Sequence, residues 1–255
     1  MKIWVTGANG VLGSHVAKAV TARGHELLST THWECPIEDL GIVVRTAQVA
    51  GPDAIINCAG LLLDAFSIDM VKTNALGPHI LACLALRGIR VVHMSTDCVF
   101  SGRRKVLHAS DDSPDPDDLY GRTKLAGEVE AGHVLNVRGS FISKEAGFLR
   151  WLLHAEGEVE AWDNAEWTGT TADVMAAKLV ELAGGSRVGV VHVASPQVTT
   201  KGWMVEMFVR ELGLPVTVVH KEFPHMHRAL KPDEELPAVE EVLTAYAKEI
   251  AACAA

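Results

Sequence analysis

The stretch Thr6-Gly7-Ala8-Asn9-Gly10-Val11-Leu12-Gly13 decides the fold of this chain. It follows an apolar run, Ile3 to Thr6, that reads as a buried strand, and it leads into a helical pattern from Val11 to Arg23. Glycines three apart between a strand and a helix allow a tight turn and leave space for a pyrophosphate. The N-terminus of the helix adds free N–H groups and a positive dipole. The candidate cofactor-binding residues here are Gly7, Asn9, Gly10, Val11, Leu12 and Gly13.

Outward from this loop, apolar runs of strand length alternate with longer helical patterns. The predicted strands are 3–6, 26–29, 54–58, 91–94, 134–137 and 190–193. The predicted helices are 11–23, 67–86 with an interruption at Gly77-Pro78, 120–131, 171–183 and 238–251. Continuous apolar strands alternating with helices predict a parallel sheet covered on both faces. The expected fold class is α/β, a Rossmann-type doubly wound parallel sheet with a small C-terminal substrate lobe.

The division into domains follows the loss of this regularity. Residues 1–140 are predicted to form the dinucleotide-binding domain, completed by about 170–194. Residues 141–169 and 195–255 are predicted to form a small substrate-binding lobe.

Composition bounds the partners. The chain has 255 residues, 48% of them hydrophobic and 22% charged, as expected of a soluble globular protein. The net charge of −9 argues against a nucleic-acid partner, since such proteins present basic faces. The sequence contains no run of about 18 apolar residues, so it predicts no membrane span. The five cysteines form no CxxC pair and no metal-ligand spacing, so we expect no metal and a reducing, cytoplasmic location.

Small residues close the third predicted strand, in Asn57-Cys58-Ala59-Gly60. Such residues would let a cofactor lie across the strand end, where open α/β sheets bind ligands. An ordinary packing turn would use the same residues. The candidates for cofactor contact are Cys58, Ala59 and Gly60.

Tyr120 and Lys124 lie four residues apart in a helical pattern, so both side chains share one face. A nearby cation favours the phenolate and lowers the tyrosine pKa from its usual value of about 10. Such a phenol can transfer protons near neutral pH. Upstream, Thr96 follows the fourth predicted strand in Ser95-Thr96-Asp97-Cys98-Val99-Phe100-Ser101-Gly102, where its hydroxyl could hydrogen-bond a substrate carbonyl.

These motifs, in this order, resemble those of the extended short-chain dehydrogenases/reductases, and more narrowly the dTDP-4-dehydrorhamnose reductase branch. That branch carries TGxxGxxG, STDxVFxG and YGxxKxxGE motifs. Here they read Thr6 to Gly13, Ser95 to Gly102 and Tyr120 to Glu128. The resemblance is strong over residues 1 to about 140 and weaker beyond them.

The resemblance implies roles for three residues. Tyr120 would give its proton to the oxygen of a keto group, and Thr96 would polarise the carbonyl. Lys124 would hold the nicotinamide ribose and depress the pKa of Tyr120, while NAD(P)H supplies the hydride. The implied substrate is a nucleotide-linked (deoxy)sugar, and a homodimer is plausible by the same resemblance.

Departures from the branch pattern concern the substrate. Cys98 stands where the branch usually has tyrosine, and Arg138-Gly139-Ser140 replaces Arg-Thr-Ser. The candidate substrate-binding residues are Cys98, Phe141 and Trp167. A tryptophan such as Trp167 could stack on a nucleotide base or pack a small lobe.

Rival functions remain open at this point. Sugar-nucleotide dehydratases of the superfamily carry an Asp-Glu pair after the Ser/Thr, whereas here Asp97 is followed by Cys98, which disfavours elimination. An epimerase would reuse the same tyrosine, lysine and threonine. A non-catalytic NADP-binding regulatory subunit also resembles this branch.

Cofactor choice is predicted from the tip of the second strand, Leu27 to His32. It has no acidic residue to bind a ribose 2′-hydroxyl, as NAD sites often do. It also has no arginine to attract a 2′-phosphate. Because repulsion toward the phosphate is absent there, the sequence leans toward NADP(H).

Overall fold

The computed structural model describes residues 1–62, 66–223 and 226–254. The strands are β1 Lys2–Thr6, β2 Glu26–Thr30, β3 Ala54–Asn57, β4 Arg90–Met94, β5 Val134–Arg138, β6 Phe141–Ile142, β7 Gly157–Trp162, β8 Glu166–Trp167, β9 Thr170–Thr171, β10 Gly189–Ala194, β11 Thr199–Thr200, β12 Val216–Lys221 and β13 Glu234–Glu235. The α-helices are α1 Val11–Ala22, α2 Leu40–Ala50, α3 Ser67–Met70, α4 Gly77–Ala85, α5 Leu119–Ala126, α6 Gly147–Leu153, α7 Ala172–Ala183, α8 Lys201–Leu212 and α9 Val239–Ala254.

A seven-stranded sheet, in the order β13-β10-β5-β4-β3-β1-β2, forms the centre of the fold. The pairings from β2 through β1, β3 and β4 to β5 are all parallel. Every residue of β3, β4 and β5 is buried, which explains the predominance of apolar residues in these strands. The predicted Rossmann-type α/β fold is confirmed.

Helix boundaries follow local capping. Helix α2 begins where the Asp39 carboxylate accepts a hydrogen bond from Ile42 N (2.9 Å) and ends at Gly51, whose φ of 59° is left-handed. Helix α5 begins where Asp118 accepts a hydrogen bond from Gly121 N (2.7 Å). That helix ends at Ala126, five residues earlier than predicted.

The helix predicted over 67–86 is not broken at Gly77-Pro78, but its type changes there from π to α. A π-helical stretch, Val71–Leu76, connects α3 to α4, and the backbone stays helical through Gly77. Pro78 sits in the first turn of α4, where a missing N–H costs little.

The chain divides into two units. The first comprises residues 1–99, 116–138 and 172–191, and its core includes the buried Trp4, Ile55 and Leu81. The second comprises residues 100–115, 139–171 and 192–255, and its core cluster includes Leu149, Leu152, Phe208 and Leu243.

Residues 100–115 were assigned by sequence to the first domain but belong to the second unit. His108 is the reason, because it forms a parallel bridge with Leu230. Its carbonyl also lies 3.0 Å from the Nδ1 atom of buried His192.

Within the described residues, the helices are too short or too polar to cross a bilayer.

Candidate active site

The glycine-rich turn between β1 and α1 touches the end of β3. Gly7 has a φ of +68°, and a Cβ there would lie 2.7 Å from the Ala59 backbone. A Cβ on Gly13 would lie 2.0 Å from the Gly7 carbonyl oxygen. Only glycine fits either position, so the turn presents bare backbone toward the end of the sheet.

Beside this turn lies a cavity of about 530 Å³ in the first unit. It is lined by six of the predicted cofactor residues, Gly7, Asn9, Gly10, Cys58, Ala59 and Gly60. Val11, Leu12 and Gly13 form the first turn of α1 instead, where N–H groups have no partner inside the helix. The structure therefore brings the glycine-rich turn and the end of β3 to one cavity of a size suited to a small-molecule ligand.

Sequence reasoning pointed to the tip of β2 for cofactor choice but missed the rest of the remaining wall of this cavity. Its other lining residues are Thr30, Thr31, His32, Cys35, Ile37, Glu38, Leu61, Asp69 and Thr73. Several of them come from the segment between β2 and α2, which has no strand or helix pattern. The signal that could have found Glu38 is its position one residue before Asp39, the N-cap of α2.

Thr96 and Tyr120 meet in the first unit. The Tyr120 phenol lies next to the Thr96 side chain, which lowers the pKa of the phenol slightly. The Thr96 Oγ1 atom also accepts a hydrogen bond from Cys98 N (3.1 Å) and donates one to Asp97 Oδ1 (3.2 Å). Two hydroxyls from the end of β4 and the start of α5 are thus fixed next to each other.

Burial sets the protonation state of Tyr120. It raises the pKa of the phenol well above its ordinary value, and the neighbouring Cys98 raises it further, against a smaller lowering by the Thr96 hydrogen bond. Lys124 is not among the groups that shift this pKa. The expectation that Lys124 depresses the Tyr120 pKa is therefore wrong for the protein alone, and the phenol is a protonated acid at neutral pH.

Lys124 is buried one turn further along α5. Its Nζ atom donates a hydrogen bond to the Met94 carbonyl (2.7 Å), and a Cβ on Gly60 would lie 3.9 Å from it. Burial lowers the pKa of Lys124 to about 8, although Cys58 and Glu128 oppose the shift. Burial also raises the pKa of Cys58 to about 12, so that thiol stays neutral.

Asn74 connects the cavity wall to the helix that carries Tyr120. Its side chain accepts a hydrogen bond from Leu61 N (2.8 Å) and donates to Leu61 O (2.9 Å). It also donates to Thr123 Oγ1 (3.1 Å). This fully buried amide therefore holds the segment after β3 against α5.

A buried ion pair anchors the far end of α5. Arg138 donates to Glu128 through Nε (2.9 Å to Oε1) and Nη2 (2.7 Å to Oε2). The Ser95 hydroxyl donates to the same carboxylate (2.6 Å). Ser95 precedes Thr96, so one carboxylate connects the helix of Tyr120 to the strand end of Thr96.

The three candidate substrate residues are not brought together by these contacts. Cys98 lies in the first unit, with its thiol 3.6 Å from Asp97 Oδ1. Phe141 and Trp167 belong to the second unit, where Phe141 is half-buried on β6. Trp167 is buried in the core cluster and donates its indole N–H to Ser140 Oγ (2.8 Å), which is the packing use of a tryptophan.

Comparison with known proteins agrees with this geometry. The family model described as "RmlD substrate binding domain" matches residues 1–234. The chain belongs to this family. The predicted resemblance to dTDP-4-dehydrorhamnose reductases is confirmed.

Named relatives fall in the same group. A Haloferax volcanii protein named "Probable low-salt glycan biosynthesis reductase Agl14" is 30% identical over 86% of this chain and 83% of its own. The dTDP-4-dehydrorhamnose reductase of Mycolicibacterium smegmatis is 32% identical over 78% of this chain and 66% of its own. The dTDP-4-dehydrorhamnose reductase of Bacillus anthracis, solved with NADP, has the same fold, with a TM-score of 0.85, 20% identity, and coverage of 97% of this chain and 99% of its own.

Proposed function

We propose that this protein uses NAD(P)H to reduce a keto group on a nucleotide-linked deoxysugar. The observation that carries the proposal is the placement of the Tyr120 phenol beside Thr96, in the unit that also holds the cavity lined by the glycine-rich turn. Membership in a family whose relatives are named dTDP-4-dehydrorhamnose reductase supplies the substrate class.

NAD(P)H, when bound, supplies the hydride. The residues of this chain supply the proton and the orientation. The glycine-rich turn and the first turn of α1 offer backbone N–H groups to the pyrophosphate. The buried Lys124 ammonium, beside Gly60 at the end of β3, would hydrogen-bond the nicotinamide ribose.

Proton transfer falls to Tyr120. The phenol is protonated at neutral pH, as an unperturbed tyrosine also is, so it can donate its proton to the keto oxygen as negative charge develops there. The Thr96 hydroxyl lies beside the phenol and would fix the carbonyl by turning its single proton from Asp97 Oδ1 to the carbonyl oxygen. A matched pair of hydroxyls of this kind stabilises an oxygen better in the transition state than in the ground state.

The test is to follow loss of NADPH and NADH absorbance with a panel of nucleotide-linked 4-keto-6-deoxy sugars. A reductase consumes one reduced cofactor for each sugar converted. An epimerase would change the sugar without net consumption of cofactor. Binding of cofactor without turnover of any sugar, together with recovery of a stoichiometric enzyme partner, would favour the regulatory-subunit alternative instead.

Assembly and location complete the proposal. The family resemblance supports a homodimer, which light scattering of the purified protein would test. None of the five cysteines, all of which the structure describes, forms a disulfide, which supports a reducing, cytoplasmic location.

A further inference from the structure

The part of the cavity near the tip of β2, where the adenosine is expected, carries negative charge. The tip of β2 itself has no acidic residue. Among the cavity-lining residues that the structure describes, the only acidic or basic side chains are those of His32, Glu38 and Asp69, and none is a lysine or arginine. Glu38 lies eight residues after the end of β2, just before α2. It therefore reaches the cavity from a loop and not from the strand end.

The Glu38 carboxylate has unused hydrogen-bonding capacity. Its Oε2 atom is buried and has no hydrogen-bond partner among the described residues. The Oε1 atom lies 3.9 Å from His32 Nε2, too far for a hydrogen bond. An unsatisfied buried acceptor is expensive, so this oxygen calls for a donor from a bound molecule.

Both donors of Thr31, at the tip of β2, are already engaged. The backbone N–H and the hydroxyl of Thr31 both donate to Glu34, at 2.8 and 2.9 Å. The Thr30 hydroxyl accepts a hydrogen bond from the Trp4 indole (3.0 Å). Two carboxylates, Glu34 and Glu38, therefore surround the tip of β2.

We propose that Glu38 makes this site prefer NAD(H) to NADP(H), an inference that rests on the proposed use of a nicotinamide cofactor. An ionised carboxylate accepts hydrogen bonds and cannot donate them. The adenosine of NAD offers ribose hydroxyls and an amino group as donors. The 2′-phosphate of NADP replaces a donor with acceptor oxygens and adds a charge of roughly −1.5 to −2. Glu38 thus supplies the acidic group that the tip of β2 lacks. The proposed preference is therefore for NAD(H), the opposite of the one that the sequence favoured.

The test measures dinucleotide binding alone, without sugar. Fluorescence titration should give a Kd for NADH at least about tenfold below that for NADPH, the difference expected from about 1.4 kcal/mol. Glu38→Gln should reduce the ratio of the NADPH Kd to the NADH Kd at least about fivefold. Glu38→Lys should bring that ratio to about one or below. Displacement by ADP and by its 2′-phosphorylated form would assign the effect to the adenosine end.

Glu34→Gln is the matched control. It removes an equal charge from the same loop, but its side chain bonds Thr31 and does not line the cavity. Its NADH-to-NADPH ratio should stay within about twofold of the wild type, because an exposed charge is screened. Equal affinity of the wild type for both cofactors, or an unchanged ratio in Glu38→Gln, would overturn the inference and leave the reductase proposal standing. Binding of neither cofactor would overturn both.

Discussion

At the scale of single residues, Tyr120 is the proton donor of the proposed reaction. Burial raises its pKa, and the adjacent Thr96 hydroxyl holds the phenol in place. Tyr120→Phe keeps the ring and removes only the hydroxyl group that carries the acidic proton. We expect turnover to fall by roughly 10² or more while the NADH Kd stays within about twofold, as for loss of a general acid. Steady-state kinetics and fluorescence titration on the same preparation measure both.

Tyr246→Phe provides the matched control, since these are the two tyrosines of the chain. The Tyr246 hydroxyl accepts a hydrogen bond from Lys144 N (3.2 Å) in the second unit. Its removal should leave turnover nearly unchanged. If Tyr120→Phe also kept turnover within a few-fold of the wild type, Tyr120 would have no acid role.

Lys124 should give the activity an alkaline limit. A lysine is charged below its pKa and neutral above it, and burial lowers the pKa of Lys124 to about 8. The cation that holds the ribose is therefore lost as the pH rises through about 8 in the free enzyme. We expect kcat/KM to decline above that pH, because kcat/KM reports groups of the free enzyme. Lys124→Met should abolish this limb of the profile, and a flat profile through the alkaline range in the wild type would contradict the assignment.

At the scale of elements, the position of α5 depends on the buried pair of Glu128 and Arg138. Glu128→Gln leaves a buried guanidinium without its counter-charge, and such a change costs about 3–5 kcal/mol of unfolding free energy. The side chains of both residues are about 95% buried, with exposures of 6% and 5%. Urea denaturation measures the loss. The exposed Glu130→Gln, two residues along, should change stability by less than about 0.5 kcal/mol. Equal stabilities for the two variants would show that the pair does not secure the helix.

Two glycines of the β1–α1 turn should have different effects when substituted, Gly10 on cofactor binding and Gly13 on stability. A Cβ on Gly10 meets only the Gly7 carbonyl, at 3.2 Å, so Gly10→Val adds bulk mainly toward the cavity that Gly10 lines. We expect its NADH affinity to fall at least about tenfold with little change in Tm. Gly13→Ala instead places a Cβ 2.0 Å from the Gly7 oxygen, and it should lower the unfolding free energy by about 1–3 kcal/mol. Unchanged NADH binding in Gly10→Val would mean that the cofactor lies elsewhere.

Elements with an apolar pattern could be predicted, and those held by backbone pairing alone could not. β1, β4 and α7 were predicted to within one residue at each end, because their apolar residues are consecutive or helically spaced. β13 consists of Glu234 and Glu235 and joins the sheet through backbone pairing with Val193 and Ala194. α2 is absent from the predicted helices, although its sequence carries two cap signals, Asp39 and Gly51.

At the scale of the whole molecule, some residues of the site could be predicted from the sequence and others could not. The glycine-rich turn and the Tyr120–Lys124 pair are local in sequence, so motifs reveal them. Glu38 enters the cavity only because the β2–α2 loop folds back toward the end of β3. No spacing rule connects Glu38 to Gly60, and both line the same cavity. Groups that select a cofactor from loops therefore need the tertiary structure to be found.

The two units should respond differently to the two ligands. NADH at 100 times its Kd adds about 2.7 kcal/mol to the stability of whatever binds it. In hydrogen exchange we expect this protection in residues 7–13 and 57–61, which belong to the first unit. The core of the second unit around Leu149 and Phe208 should exchange at its original rate. A nucleotide-linked sugar analogue, added after NADH, should then protect segments of the second unit, since that unit contains the predicted substrate lobe.

Gly10→Val is the control for this experiment, because at the same NADH concentration its tenfold weaker binding should reduce the added stability from about 2.7 to about 1.4 kcal/mol or less, with correspondingly weaker protection. The order of addition matters to the interpretation. If NADH alone protected mainly residues 139–171, the cofactor would be bound by the unit assigned to the substrate. The roles of the two units in binding cofactor and sugar would then be reversed. If the sugar analogue protected only the first unit, residues such as Phe141 would have no part in binding, and specificity would have to come from Cys98 and its neighbours, close to the reacting carbonyl.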